Sequence, residues 1–242
     1  MIFEYSFKKF PKKYTPTPVP VILQKMKHML PEYIYDTAQL ENNPITIPEI
    51  KTLIDGITIG GRKISDVQQI LNIKDAWFIL MDSLKRGTFS VNMEFSDILH
   101  SKLGREEALE WGKFRTGNVS IAGTCKYKCP DFKKLVSIYN EELSWVMDSD
   151  NPVEISLKYF LWGCLNQFYW DCNKRVSRLM SIGILVSNGF GVFNIPAKHV
   201  QAFNSLMTSF YDSQKADDIM EFLLKTSVKR IELERDYYLE HI

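Results

Sequence analysis

Two apolar runs separated by a short polar step constrain this chain more than any other feature. The first run covers residues 155–170 and is apolar on nearly every side of a helix. The second run starts within a few residues of the step, is amphipathic, and continues to Asn188. A helix that is apolar all round must be covered by other elements, so the first run predicts a central, buried helix.

Helical periodicity and start signals mark further segments on both sides of this centre. Before Pro48, Thr46 reads as an N-cap with Glu49 at the third helical position. Segment 119–128 alternates weakly between turn residues, which predicts a short β-hairpin. The sequence therefore predicts an all-α fold with one hairpin. The other predicted helices cover 22–35, 47–55, 66–85, 96–103, 131–147, 197–211 and 217–239.

Composition bounds the class of protein. With 242 residues and 45% hydrophobic content, the chain can bury the core of one domain. Thirty basic and 29 acidic residues give a net charge of +1, which predicts neither nucleic-acid binding nor adhesion to a membrane surface. No apolar run has the length of a membrane span, the N-terminus lacks the order of a signal peptide, and the four cysteines fit a reducing compartment. We therefore expect a cytoplasmic protein.

The polar step carries the candidate chemistry. It places Asp171, Asn173, Arg175 and Arg178 where a loop enters a helix. Such an entrance has unpaired N–H groups and the positive end of the helix dipole, so it suits a phosphate. Arg175 and Arg178 share a helical face, and Asp171 can hold a Mg²⁺ ion together with phosphate oxygens. The alternative is a solvated helix start in which the same residues serve as caps and salt bridges.

The stretch from Gln167 to Arg178 resembles the active-site motif of the Fic family, His-x-Phe-x-Asp/Glu-Gly/Ala-Asn-Gly/Lys-Arg-x-x-Arg. Tyr169 replaces the Phe, and Cys172 replaces the small residue. The resemblance implies a Fic-fold helical bundle with a short β-hairpin flap. It also implies transfer of AMP from ATP to a protein hydroxyl. The residues that fit the motif are Asp171, Asn173, Lys174, Arg175 and Arg178.

The resemblance assigns roles to these positions. Gln167, at the position of the family's catalytic His, would belong to the catalytic set together with Asp171, Asn173 and Arg175. The nucleotide-binding set would be Cys172, Asn173, Lys174, Arg175 and Arg178. ATP and Mg²⁺, with the metal on Asp171, are the expected substrate and ion, and no tightly bound cofactor is expected.

Gln167 is the departure that decides the expected activity. An amide has donor and acceptor groups but no basic nitrogen at neutral pH, so the site should be weak or inactive. A nucleotide-binding or regulatory protein without catalysis is the first alternative. A kinase similar to the Doc branch of the family is the second, because Asn173-Lys174-Arg175 matches that branch.

A second motif precedes the core. Thr37, Glu41 and Asn42 are similar to the inhibitory motif Ser/Thr-x-x-x-Glu-Gly/Asn of Fic proteins. The resemblance implies that Glu41 pairs with Arg178 and blocks the position of the γ-phosphate, as a carboxylate can imitate a phosphate oxygen. The alternative is a helix that ends in polar residues with a solvated Glu41.

The resemblance also predicts the domain organisation. The Fic domain would cover 37–224, after an extended segment and helix at 1–36 and before a C-terminal helix at 225–242. An unidentified protein target would dock on the flap at 119–128, and a homodimer stays open as an alternative to a monomer. The resemblance outside the motif rests on Gly60, Gly61, Asn72, Leu99, His100, Arg115, 119–123, Phe203, Asn204, Phe210 and Tyr211.

Overall fold

The computed structural model describes residues 2–124 and 126–232. These residues form α-helices and a pair of short strands, which confirms the predicted all-α class with a small antiparallel sheet. The helices are α1 Val19–His28, α2 Leu30–Gln39, α3 Ile47–Ile54, α4 Ile64–Arg86, α5 Met93–Leu103, α6 Leu135–Met147, α7 Pro152–Asn166, α8 Asn173–Ser187, α9 Val200–Ser213 and α10 Asp217–Thr226. The strands are β1 Gly191–Phe193 and β2 Val228–Arg230.

Helices α7 and α8 form the centre of the fold. Every residue of α7 except Glu154 is buried, as the apolar run predicts. The two helices approach closely at Gly163, where an added Cβ would lie 2.1 Å from Ser177 Oγ. Ser156 and Ser181 donate hydrogen bonds to each other's carbonyls across the same interface, at 3.2 and 2.8 Å. Small residues thus let the two helices that flank the polar step pack directly together.

Helix α7 ends earlier than the apolar run does. It stops at Asn166, because Gln167 adopts the left-handed conformation with φ 49°. Residues 168–172 then form a loop before α8 begins at Asn173. The prediction of a helix through residue 170 is wrong for its last four residues, which remain buried or half-buried without being helical.

The N-terminal helical region is two helices rather than one. The predicted helix at 22–35 breaks at Met29 into α1 and α2. Pro31 explains the break, because it has no N–H to donate and its ring clashes with the carbonyl four residues earlier. Ahead of α1, the chain at 2–18 has no helix, and Phe3, Phe7 and Phe10 anchor it in the core. At the start of α3, the predicted Thr46–Glu49 capping box is present.

The two-stranded sheet does not lie where the hairpin was predicted. β1 pairs with β2 in antiparallel register, with Val192 opposite Lys229. Segment 119–128 has no strand among its described residues, although a turn brings Thr124 N to 3.4 Å from Ile121 O. The predicted C-terminal helix over 225–242 is also wrong at β2, and residues 233–242 lie outside the described part of the chain. A weak alternation does not suffice to predict a strand, because a strand also needs a partner that the local sequence does not specify.

Within the described ranges, no helix combines the length and the apolar character that crossing a bilayer requires.

Candidate functional site

The loop between α7 and α8 is held in shape by one buried side chain. Asn173 Nδ2 donates to Tyr169 O at 2.9 Å and to Gln167 Oε1 at 3.1 Å. Its Oδ1 accepts from Tyr169 N at 2.9 Å. Cys172, the residue before α8, takes a left-handed conformation with φ 61° and turns the chain into the helix. The Asn of the motif therefore fixes the loop geometry.

Gln167 lies where the sequence places it, at the wall of a cavity, but its amide is engaged within the protein. Its Nε2 donates to Cys164 O at 2.6 Å, and its Oε1 accepts from Asn173. The backbone carbonyl of Gln167 also accepts from Arg115 Nε at 2.6 Å. The Gln167 side chain is thus a structural part of the loop, with no basic nitrogen to offer a substrate.

The cavity beside this loop has a volume of about 540 Å³. It is bounded by four segments of the chain: 40–42 after α2, 120–122, the loop with the first turn of α8, and one face of α9. The volume lies within the usual range for small-molecule sites, about 300–1,000 Å³. Tertiary structure thus brings segments that are far apart in sequence around the polar step.

The N-terminus of α8 opens into this cavity. Cys172, Asn173 and Lys174 line it, and no side chain caps the helix. The first N–H groups of an α-helix have no acceptor inside the helix, so the entrance presents donors and a partial positive charge. Apart from Ser187 at the far end, Lys174 is the one residue of α8 that is not buried, and it adds a full charge to the entrance.

Asp171 lies at the rim of the cavity, with a side chain that is 59% exposed. Its Oδ1 accepts a hydrogen bond from Cys172 N and lies 3.7 Å from Arg175 Nη2. Within 2–124 and 126–232, no group of three acidic, His or Cys side chains could hold a metal ion by itself. Mg²⁺ commonly takes one or two carboxylates together with phosphate oxygens, and an exposed Asp171 fits that mode.

Arg175 is buried at 3% exposure and is surrounded by three carboxylates. Glu107 Oε2 is the nearest, at 2.7 Å from Nη1, and Glu41 Oε1 lies 3.6 Å from Nε. Asp171 at the rim is the third. Burial alone would lower the pKa of the Arg175 guanidinium, but the neighbouring Cys172, Glu41 and Glu107 together outweigh burial and raise that pKa. Arg175 therefore stays charged and already has anionic partners.

Glu107 is the residue of this cluster that sequence reasoning missed. It lies between α5 and segment 117–124, in a run that reads Arg105-Glu106-Glu107-Ala108. Nothing in that run distinguishes Glu107 from Glu106, which is exposed and lies 3.8 Å from Arg105. The distinguishing property is burial, which only the packing of this segment against α4 and α8 creates.

Arg178 is buried one turn further along α8. Among the described residues, its guanidinium has no hydrogen-bond or ion-pair partner. Burial lowers the pKa of Arg178 to about 10, and the Glu41 charge offsets part of that effect. The predicted Glu41–Arg178 ion pair is therefore wrong in this structure: the carboxylate of Glu41 lies against Arg175, and it acts on Arg178 only through its charge.

The segment predicted to be inhibitory ends α2 and reaches the cavity. Thr37 is buried in α2, and its hydroxyl donates to Tyr33 O at 2.7 Å. Asn42 adopts a left-handed conformation with φ 58°, which Gly and Asn tolerate best and which turns the chain after the helix. Glu41 and Asn42 both line the cavity, whereas Thr37 does not.

Arg115 connects segment 117–130 to the motif loop. Its guanidinium donates to the carbonyls of Gly117 and Pro130, both at 2.6 Å, and to the carbonyl of Gln167. Arg115 N also donates to Phe168 O at 2.9 Å. Arg115 thus holds both ends of the segment that carries the cavity-lining residues 120–122.

Two further side chains are packing residues rather than reactive groups. His100 is fully buried, stacks on Tyr169 at 3.9 Å, and accepts from Gly112 N at 3.0 Å. Burial lowers the pKa of His100 to about 4, so its ring is neutral at physiological pH. Cys172 is also buried, burial raises the pKa of its thiol, and its sulfur lies 3.3 Å from Leu103 O. Neither group can supply a base or a thiolate to the cavity.

Solved structures share this architecture. Fic-1 from C. elegans matches with a TM-score of 0.72 and 17% identity, over 85% of this chain and 62% of that chain. A Fic family protein from Desulfovibrio desulfuricans matches with a TM-score of 0.66 and 17% identity, over 90% and 74% of the two chains. This chain has a Fic fold. A Fic domain containing signaling protein from Bacteroides thetaiotaomicron agrees, with a TM-score of 0.68 and 16% identity over 87% and 84%.

The Fic fold expected from the motif is therefore confirmed. This chain spans less than two thirds of the matched Fic-1 chain, and no protein-family model matches the sequence. Because one fold can carry several activities, the Fic fold by itself does not decide the reaction. The reaction therefore has to be inferred from the residues around the cavity.

Proposed function

We propose that this Fic-fold chain derives from protein AMP transferases, binds a nucleotide in the cavity, and transfers its AMP slowly or not at all. One observation carries the proposal. The uncapped N-terminus of α8, with Lys174, opens into a 540 Å³ cavity beside Gln167, whose amide is engaged in the loop. The first part of this arrangement suits phosphates, and the second part lacks a base.

Phosphate binding rests on three kinds of group at one entrance. The first-turn N–H groups of α8 and the helix dipole attract an anion, and Lys174 adds a charge. Asp171 would hold Mg²⁺, which neutralises part of the phosphate charge when bound. Asn173 keeps the loop in place but uses its own amide for that purpose.

The expected loss of catalysis rests on Gln167. Removing a general base typically lowers a rate by about 10² to 10⁴. His100 cannot replace it, because that ring is fully buried against Tyr169. Positioning and charge stabilisation of the phosphates do not depend on a base, so nucleotide binding can persist where transfer is lost.

A structural neighbour supports the choice of AMP and of a protein acceptor. A variant of IbpAFic2, solved in complex with adenylylated Cdc42, matches with a TM-score of 0.51 and 12% identity. By analogy, a protein target of this chain would lie along segment 117–124, whose residues 120–122 line the cavity. No residue of that segment specifies the target.

Calorimetry with ATP and Mg²⁺ tests binding. Lys174→Ala should weaken ATP binding roughly several-fold, because it removes one positive charge near the phosphates. Lys85→Ala, which removes an exposed lysine from the end of α4, is the matched control and should bind like wild type. No detectable ATP binding by the folded wild type would overturn the proposal.

Incubation with ATP labelled at the α- or the γ-phosphate tests transfer. We expect little or no protein-bound label from either substrate. Strong transfer of the α label would show an active AMP transferase, and strong transfer of the γ label would show a kinase. Either result would contradict the expected loss of catalysis.

A further inference from the structure

The proposed function leaves the contact between Glu107 and Arg175 unexplained. Glu107 Oε2 lies 2.7 Å from Arg175 Nη1, with side chains that are 18% and 3% exposed. Glu107 reaches the motif from outside it, 68 residues earlier in the chain. An ion pair at this depth is costly to build from two solvated charges, so its position has to be supported by the fold.

Helix α4 supplies that support. Gln69 Nε2 donates to Glu107 Oε2 at 2.7 Å, on the same oxygen that meets Arg175. One turn away, Asn72 Nδ2 donates to Arg105 O at 2.7 Å and fixes the backbone ahead of Glu107. Helix α4 therefore aims the carboxylate at Arg175.

The pair is not fully satisfied. Glu107 Oε1 and Arg175 Nε are both buried without a hydrogen-bond partner among the described residues. A contact that existed only for stability would be expected to satisfy both groups, since an unpaired buried polar atom is destabilising. The arrangement is better explained as a charge held beside the phosphate entrance.

The charged side chains that line the cavity sum to −1, with two carboxylates, Glu41 and Asp171, against one cation, Lys174. Behind this lining, Arg175 supplies a positive charge that Glu107 offsets at 2.7 Å. An entrance with an excess of negative charge binds a nucleotide less tightly as the number of its phosphates increases, because each phosphate adds a charge that the entrance repels.

We propose that Glu107 is a positioning residue that keeps Arg175 as an internal counter-ion, so that the cavity favours nucleotides with few phosphates. This inference rests on the proposed function, because it concerns the ligand of the same cavity. In wild type, the groups that meet the phosphates are the α8 N-terminus and Lys174. Neutralising Glu107 releases the positive charge of Arg175 beside the entrance, and the gain in affinity grows with the charge of the ligand.

The test compares the affinities of AMP, ADP and ATP without Mg²⁺, by calorimetry on the full chain. Glu107→Gln should raise the ratio of ATP affinity to AMP affinity roughly tenfold, with ADP in between. Glu106→Gln is the matched control, since it removes the same charge one residue away at the surface, and its ratio should equal that of wild type. A purely structural role for Glu107 would change all three affinities alike.

A second variant separates charge from folding. Gln69→Ala keeps every charge but removes the hydrogen bond that aims Glu107, so it should raise the same ratio by a smaller factor. Binding by wild type with an unchanged ratio in both variants would overturn this inference alone. Absence of binding in wild type and in every variant would overturn the proposed function, and this inference with it.

Discussion

Asn173 Nδ2 donates a hydrogen bond to Gln167 Oε1 at 3.1 Å, from the first residue of α8 back to the residue that ends α7. The bond spans the whole polar step, so the residue at the expected catalytic position and the residue at the phosphate entrance form one structural unit. Gln167 Nε2 completes the unit by donating to Cys164 O inside α7. A change at Gln167 therefore affects both chemistry and loop geometry.

The first prediction concerns Gln167→His. A histidine would supply the missing base, and combined with Glu41→Gly it would also remove a carboxylate from the cavity wall. We expect the double variant incubated with ATP and Mg²⁺ to gain a covalent AMP adduct, visible as a mass increase, while wild type gains little or none. Strong transfer by wild type that survives Gln167→Ala would show that another group supplies the base, and the site would then not be degenerate.

Glu41→Gly should by itself strengthen ATP binding. Glu41 lines the cavity, lies 3.6 Å from Arg175 Nε, and places its charge near Arg178. Its removal takes away a negative charge that opposes the phosphates, so we expect a several-fold gain in affinity by calorimetry. Equal affinities in wild type and variant would show that 37–42 is a helix end without an inhibitory role.

Arg175→Ala is expected to lower the free energy of unfolding by about 3 kcal/mol or more, because it leaves Glu107 and Glu41 without their buried partner. It should also weaken ATP binding, since it leaves the charge of Glu107 beside the entrance without its counter-ion. Arg86→Ala is the control: its ion pair with Asp82 is exposed, so the loss should stay below about 1 kcal/mol. Urea unfolding of both variants measures the difference, and equal small losses would contradict a structural role for Arg175.

The free energy of unfolding should depend on pH through the carboxyl group of Asp97. Burial raises the pKa of its carboxyl from 3.8 to about 6, although Tyr169 donates to it at 2.8 Å. A carboxyl whose pKa is raised by folding stabilises the fold when protonated, and that contribution is lost as pH rises through about 6.

Between pH about 4 and 7, wild type should therefore lose stability relative to Asp97→Asn, by on the order of 1 kcal/mol. The asparagine can still accept from Tyr169 but carries no charge. Urea unfolding at both pH values measures the two differences. A difference between wild type and variant that stays constant across this range would mean that Asp97 is solvated as freely in the folded chain as in the unfolded chain.

The sequence determined the helical centre and the location of the candidate site. Residues 155–166 of the apolar run form the buried helix that the run predicted, and the polar step leads into the start of the next helix. The capping box at Thr46 and Glu49 was equally readable, because all of its partners lie within four residues of each other. Local spacing is sufficient where the interactions themselves are local.

Tertiary structure decided which charges meet. Glu41 and Glu107 lie 134 and 68 residues from Arg175 in sequence, and no pattern separates Glu107 from the exposed Glu106 beside it. Glu41 contacts Arg175 and not the predicted Arg178. Both arginines share one face of α8, so the sequence could not show which of them Glu41 would meet. The same limit applies to β2, whose strand partner lies 37 residues away at β1. Which distant groups come into contact depends on how the helices pack, and a linear pattern does not contain that information.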